Sequence, residues 1–225
     1  MTVITISRQF GSGGDEIAQR VCEILGFRQF DKRLIEKAAA ESGISEQEII
    51  DYSEENHKVR SFLDRLFDRT PAVGQLHYWK EDTQGVRSVE VKPMTEDVAL
   101  SLVQNAIHSA VNQGNLVILG RGGQVLLQDT PSVLHVRVIA PMEDRIQRLK
   151  WKLKIRHEIY EADIGVRRNA QDVIEERDAA SADYIKRFYQ RDWDDPTLYH
   201  VTINTGKLTI EQAARLIAKL AEEIA

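Results

Sequence analysis

This sequence predicts an α/β fold, a parallel sheet covered by helices on both faces. Three observations carry that prediction. Short apolar runs alternate with helical periodicities along the chain, which implies strands joined by helical crossovers. The first apolar run passes through a glycine-rich turn into a helix, in MTVITISRQFGSGGDEIAQRVCEIL. Four strand ends carry polar or glycine-rich turns: Arg8 to Gly14, Asp31-Lys32, Gly120 to Gly123, and Asn204-Thr205. Ligands in open parallel sheets sit beyond the C-terminal ends of the strands, so one shared site is expected there.

The elements follow in order. Val3 to Ile6 is a short strand that stops at the glycine turn. Ile17, Val21, Ile24 and Leu25 recur at helical spacing, and Gly26 ends that helix. Phe27 to Phe30 reads as a second short strand closing at Asp31. Leu34 to Ala40 reads as helix, and Ser45 with Glu48 forms a capping box for another that reaches about Asp68. Thr70 to Pro93 carries Pro71, Gly74 and Gly85, with alternation only over Val86 to Val91; it reads as a loop able to form a hairpin. Helix resumes from Thr95 to about Asn112. Leu116 to Leu119 and Val133 to Ile139 are buried-type strands, and Pro141 opens the next helix. A long charged helical region runs to about Tyr189. Tyr199 to Ile203 is the last strand, and Thr209 with Gln212 is a capping box for a final amphipathic helix.

Composition narrows the function. With 225 residues, 42% of them hydrophobic, the chain supports one sizeable core. No apolar run approaches the roughly 20 residues of a membrane span. No basic n-region precedes an apolar h-region at the start, so a cytoplasmic location is expected. The single cysteine, Cys22, excludes an intrachain disulfide and reads as a small hydrophobe in the first helix. Thirty Lys and Arg against 35 Asp and Glu give a net charge of -5, which argues against broad binding to nucleic acid or anionic membrane.

The chemistry starts at RQFGSGGDE. Backbone N–H groups of Gly11, Ser12, Gly13 and Gly14 can converge on an anion, helped by the positive end of the following helix. Laid on G-x-x-x-x-G-K-[ST], Arg8 takes the first glycine slot, Gly13 the second, Gly14 the lysine slot and Asp15 the hydroxyl slot. Arg8 is then the charge available in place of the lysine. Asp15 admits three readings: a helix N-cap, a carboxylate that repels phosphate, or a Mg²⁺ ligand. A tight turn without ligand is the plain alternative for the whole loop.

Arg121, between Gly120 and Gly122, can reach a crevice and grip phosphate, or face solvent in its turn. Arg145, Arg148 and Arg156 belong to a basic cluster that also holds Lys150, Lys152 and Lys154. It reads as a basic lid over donor phosphates or as a solvated face. Asp31 either positions Mg²⁺ or an acceptor hydroxyl, or caps the helix after it. Arg177 and Asp178 are pocket candidates or surface ion pairs. The six histidines show no metal spacing.

Taken together, ISRQFGSGG, FDKRLIEKAA, LVILGRGG, VLHVRVIAPMEDRIQR, ADYIKRFY and INTGKLTIEQA resemble the cytidylate kinase-like family, relatives of the P-loop nucleoside monophosphate kinases. The pieces lie in order over nearly the whole chain. The resemblance implies a single P-loop kinase-type three-layer domain over 1–225 with a five-stranded parallel sheet. It implies an inserted acceptor-side region at about 32–115 and a basic lid at about 150–168. It implies Mg²⁺-dependent transfer of the terminal phosphate of ATP to a nucleoside monophosphate, CMP or dCMP in the cytidylate kinases. Arg121 matches the arginine of the family's G-R turn, which contacts the acceptor. Asp31 matches the aspartate that closes the second strand. Arg177 and Asp178 lie on the helix that grips the acceptor and the migrating phosphate. That helix departs from the pattern, with Ala179, Ala180 and Ser181 where charges are expected, and Gly14 departs in the lysine slot. Two other functions stay open: a non-catalytic nucleotide-binding or interaction module, and a kinase for another small acceptor.

Overall fold

A computed structural model describes residues 2–41, 72–81, 87–155 and 164–224. The chain falls into two compact units, one built on Met1–Gln29 and Gly114–Ala225, the other on Phe30–Ser53 and Arg60–Gln113.

The larger unit holds the main sheet. Its strands are β1 (Val3–Arg8), β2 (Arg28–Gln29), β5 (Leu116–Leu119), β6 (Val133–Ile139) and β7 (Val201–Asn204). They lie in the order β2-β5-β1-β6-β7, and every neighbouring pair is parallel. The first strand is therefore central, and the loop that follows it leaves from the middle of the sheet. The helices of this unit are α1 (Gly14–Leu25), the four-residue α4 (Gly123–Leu126), α5 (Met142–Ile155), α6 (Ile164–Tyr189) and α7 (Ile210–Ile224).

The two faces of the sheet differ in chemistry because alternate side chains point opposite ways. Ile4, Ile6, Val117, Leu134, Val136, Val138 and Ile203 form one apolar core with Ile17, Ala18 and Val21 of α1 and Ala213, Ala214, Ile217 and Ala221 of α7. Cys22 packs at its edge, and burial, then the neighbouring Glu23 carboxylate, push its thiol up to about 11. The opposite face mixes the buried apolar Val3, Leu116, Ile118 and Val133 with Thr5, Ser7, His135 and Arg137, which are polar yet buried. Most of their polar atoms bond among themselves or to the 193–200 segment, whereas His135 Nε2 is buried without a partner. Trp193 Nε1 donates to Ser7 Oγ at 2.9 Å, and Arg137 Nη1 donates to the Trp193 carbonyl at 2.7 Å. Arg137 also pairs with Asp194 and lies 4.2 Å from the Trp193 ring centroid. Thr5 Oγ1 and His135 Nδ1 are 2.7 Å apart.

The smaller unit holds α2 (Lys32–Glu41), β3 (Ala72–Glu81), β4 (Arg87–Thr95) and α3 (Glu96–Val111). β3 and β4 form an antiparallel hairpin with Glu81 opposite Arg87. The hairpin extends well beyond Val86 to Val91, where the sequence alternates. Thr95 caps α3 by accepting the Val98 N–H at 3.5 Å. α2 packs on α3, which buries Ala99, Val103, Ala106 and Ile107. The capping box at Ser45 and Glu48, and the helix expected to reach Asp68, lie outside the described residues.

Candidate functional site

The turn after β1 is shaped by two left-handed glycines, Gly11 at φ 77° and Gly13 at φ 87°. Gly13 is the N-cap of α1 and brings no side-chain cap, so the N-cap reading of Asp15 does not hold; Asp15 sits in the first helical turn. The first amides of a helix have no carbonyl partner within it. Among the described residues no acceptor takes the N–H of Gly13, Gly14 or Asp15. Ser12 lies beside them with no exposure, and its hydroxyl has no hydrogen-bond partner. A buried unsatisfied hydroxyl costs about 1–3 kcal/mol, so this one calls for a ligand or a water.

Gly14 does not need a positive φ. Its lack of a side chain is required for another reason: a Cβ there would meet Arg8 Cβ at 2.5 Å and Cγ at 2.6 Å. Arg8 thus fills the space that the lysine of a standard phosphate loop would leave through. Its Nε donates to Asp15 Oδ1 at 3.0 Å, and Asp15 is 56% exposed while Arg8 is 10% exposed.

The loop is gripped through its Gly11 and Ser12 carbonyls. Arg148 Nη1 donates to the carbonyls of Ser12 at 3.0 Å and Gly11 at 3.4 Å, and to Thr205 Oγ1 at 2.9 Å. Its Nη2 donates to the Thr205 carbonyl at 2.8 Å, and Thr205 Oγ1 donates to the Ser12 carbonyl at 2.6 Å. One residue earlier in the loop, Asp178 Oδ1 accepts the Phe10 N–H at 2.8 Å. The other carboxylate oxygen pairs with Arg145, which is buried and also donates to the Phe10 carbonyl at 3.3 Å. Arg177 lies 5.9 Å from the Phe10 ring centroid. Lys152 Nζ reaches Glu16 Oε1 at 2.6 Å, tying α5 to the first turn of α1.

A second glycine turn follows β5. Gly120, Arg121 and Gly122 all have positive φ, 66°, 59° and 68°. Arg121 is 9% exposed, and its Nη1 donates to the Leu119 carbonyl at 3.3 Å. Tyr189 closes over the turn: a Cβ on Gly122 would lie 2.4 Å from its ring. Asp31 caps α2, accepting the N–H of Arg33 at 3.0 Å and of Leu34 at 3.4 Å. Arg156 lies outside the described residues, as does much of the stretch read as a lid. Among the described residues no three His, Cys, Asp or Glu side chains gather as a metal site. No described helix is long and apolar enough to cross a membrane.

The structure therefore brings Arg8, Gly11, Ser12, Gly13, Gly14, Asp15, Arg145, Arg148, Arg177 and Asp178 to one loop. Thr205, expected at the shared site only as part of the Asn204-Thr205 strand end, takes a specific role there. It was visible only as a polar residue at a strand end, and its partners stand 57 and 193 residues away.

A central parallel strand, a glycine loop and a helix N-terminus, in a sheet of this order, define a P-loop kinase-type α/β protein. Residues 3–207 match the cytidylate kinase-like family, and the chain belongs to it. A solved structure of an uncharacterized protein from Eubacterium ventriosum is similar over 99% of both chains, with 17% identity and a TM-score of 0.62. That likeness supports the fold. A shikimate kinase from Bacteroides thetaiotaomicron aligns over 98% of both chains at 13% identity, with a TM-score of 0.47. The uronate isomerase of Corynebacterium glutamicum is 30% identical over 113 residues. That match spans 50% of this chain and 20% of the isomerase.

Proposed function

We propose that the protein transfers the terminal phosphate of ATP to a nucleoside monophosphate, with a CMP- or dCMP-like acceptor. The observation that carries this reading is the first turn of α1: unpaired amides at Gly13, Gly14 and Asp15 beside the orphaned Ser12 hydroxyl. These groups suit a polyphosphate, and the Arg8 guanidinium at the same turn adds the positive charge.

Phosphoryl transfer asks for alignment and charge rather than covalent help. An oxygen of the acceptor phosphate attacks the γ-phosphorus, the bond to the β–γ bridging oxygen breaks, and ADP leaves. Arg8 would neutralise the donor as charge moves onto that bridging oxygen. Arg121 and Arg177 would orient the acceptor. Arg145 and Arg148 support the donor indirectly, because their guanidinium groups are spent on the loop carbonyls, Asp178 and Thr205. Mg²⁺ is usually held by one or two carboxylates together with substrate phosphates, and Asp15 is the carboxylate placed to serve; the ion would supply further charge neutralisation.

A second reading has its own support. Asp15 already neutralises Arg8, and the lysine slot cannot take a side chain while Arg8 lies across it. Both features suit a module that binds nucleotide without turning it over. ADP release from ATP, measured with each nucleoside monophosphate in turn, separates the two. Turnover fastest with CMP or dCMP supports the kinase. Nucleotide binding by calorimetry without turnover on any acceptor overturns it in favour of the binding module.

A further inference from the structure

We infer that the Arg8–Asp15 ion pair is one state of an exchange of partners, through which the Gly11–Asp15 turn favours polyphosphate loaded with Mg²⁺ over the metal-free form. In that exchange Arg8 passes from Asp15 to a phosphate oxygen, and Asp15 passes from Arg8 to the metal ion that the phosphate carries. The inference rests on the reading of the turn as a phosphate cradle.

The pair stands at the unpaired amides. Arg8 Cβ and Cγ lie 2.5 Å and 2.6 Å from where a Cβ on Gly14 would be. Cα–Cβ bonds in a helix tilt toward its N-terminus, so the Asp15 side chain leans toward that end of α1. There the N–H groups of Gly13, Gly14 and Asp15 have no acceptor among the described residues. Arg8 Nε donates to Asp15 Oδ1 at the same place. The turn thus already carries an anion of its own, at the helix end that favours one. Other charged groups on the turn are committed elsewhere. Arg145 and Arg148 are bound to the loop carbonyls, Asp178 and Thr205. Glu16, the next carboxylate of the same helical turn, is bound to Lys152 of α5. Arg8 and Asp15 pair with each other, within the turn itself.

The two partners differ in exposure: Arg8 is largely buried and Asp15 is open to solvent. A largely buried guanidinium needs an anionic neighbour at every stage, whereas an exposed carboxylate can leave and be replaced. A phosphate oxygen meets the need of Arg8. It also brings like charge up to Asp15, which is relieved only when the carboxylate gains a cation of its own. Mg²⁺ is commonly held by one or two carboxylates together with phosphate oxygens, so the loaded form supplies that cation. Metal-free polyphosphate offers Asp15 nothing, and the same carboxylate opposes it.

The test is calorimetry with inorganic triphosphate, once with Mg²⁺ and once with a chelator, on the full-length protein and its Asp15→Asn and Glu16→Gln variants. A melting curve checks the fold of each. Asp15→Asn should bind metal-free triphosphate about tenfold more tightly than the wild type does, and the Mg²⁺-loaded form severalfold more weakly. Glu16→Gln should keep the wild-type preference for the loaded form, because Lys152 takes up the Glu16 charge. An unchanged preference in Asp15→Asn, with triphosphate still bound, overturns the exchange and leaves the phosphate cradle intact. A gain for both forms alike also overturns it, and makes Asp15 a competitor of phosphate that takes no metal. An equal shift in Glu16→Gln does the same, since any charge at the helix start would then serve. Absence of binding of either form by the wild-type protein overturns the cradle, and the exchange with it.

Discussion

The turn after β1 and the turn after β5 both end in a left-handed glycine that starts a helix without a side-chain cap, Gly13 at φ 87° and Gly122 at φ 68°. Their surroundings differ. The first turn opens into a 12-residue helix and is held from behind by Arg145, Asp178, Arg148 and Thr205. The second opens into four helical residues and is covered by Tyr189, whose ring leaves no room for a Cβ at Gly122. The first leaves the amides of Gly13, Gly14 and Asp15 without an acceptor among the described residues, while its Gly11 and Ser12 carbonyls are occupied. The second ties its start to β1, with the Gly120 N–H donating to the Ile6 carbonyl at 2.9 Å.

The largest expected effect comes from breaking the support of the first turn. Asp178→Ala removes the partner of the buried Arg145 guanidinium and the acceptor of the Phe10 N–H. Leaving a buried charge unpaired typically costs about 3–5 kcal/mol. Urea denaturation should show a loss of that order, and Asp178→Asn, which can still accept from Phe10, should lose less. A loss below about 1 kcal/mol for the alanine variant would mean that the turn holds its shape without the clamp.

The second turn has a pH-dependent floor. A Cβ on Gly123 would touch Thr5 at 3.2 Å, and Thr5 is hydrogen-bonded to His135. Burial, and then the His200 imidazole stacked on it at 5.2 Å, push the His135 pKa down to about 4. The unfolded chain therefore takes up this proton at a higher pH than the folded one. The stability is fully present above the unfolded value near 6.5 and falls as the pH drops from there towards 4. The expected loss is at most about 3 kcal/mol, at about 1.36 kcal/mol for each pKa unit between 6.5 and about 4. Stability measured across that range should show the slope in the wild-type protein, and His135→Gln should flatten it. Equal slopes in the two proteins would remove His135 from the account.

Most of the frame was legible. The strands at 116–119 and 133–139 follow from apolar runs alone. The capping box at Thr209 and Gln212 is realised reciprocally, with Thr209 N–H donating to Gln212 Oε1 at 3.0 Å and Gln212 N–H to Thr209 Oγ1 at 3.2 Å. Local patterns were readable because their partners are local. The polar residues of the sheet's second face were written in the alternation of ITIS and LHVRV, yet strands covered on both faces are expected to be apolar throughout. The clamp was not legible for a different reason. An arginine that faces a phosphate and one that faces a carbonyl look alike in sequence, and only the fold decides which partner Arg145 and Arg148 meet. Gly14 shows the same limit. Its slot was known to lack a lysine, but that Arg8 bars a side chain there follows from a contact across the loop.

That contact decides whether the first turn holds one charged side chain because Arg8 excludes a second. Gly14→Lys alone should cost about 1 kcal/mol of stability, since the new Cβ must displace Arg8, which is itself paired with Asp15. It should bring little gain in affinity for inorganic triphosphate. Arg8→Gly alone should weaken that affinity by removing the charge. The double variant, Arg8→Gly with Gly14→Lys, places glycine in the first slot and lysine in the second, and the steric conflict disappears. Its stability should return to within about 0.5 kcal/mol of the wild type, and its triphosphate affinity should exceed that of either single variant. Strict additivity of the two single effects, measured by melting and calorimetry on all four proteins, would mean that Arg8 and the lysine slot are independent. Coupling in both readouts would make Arg8 the spatial substitute for the missing lysine.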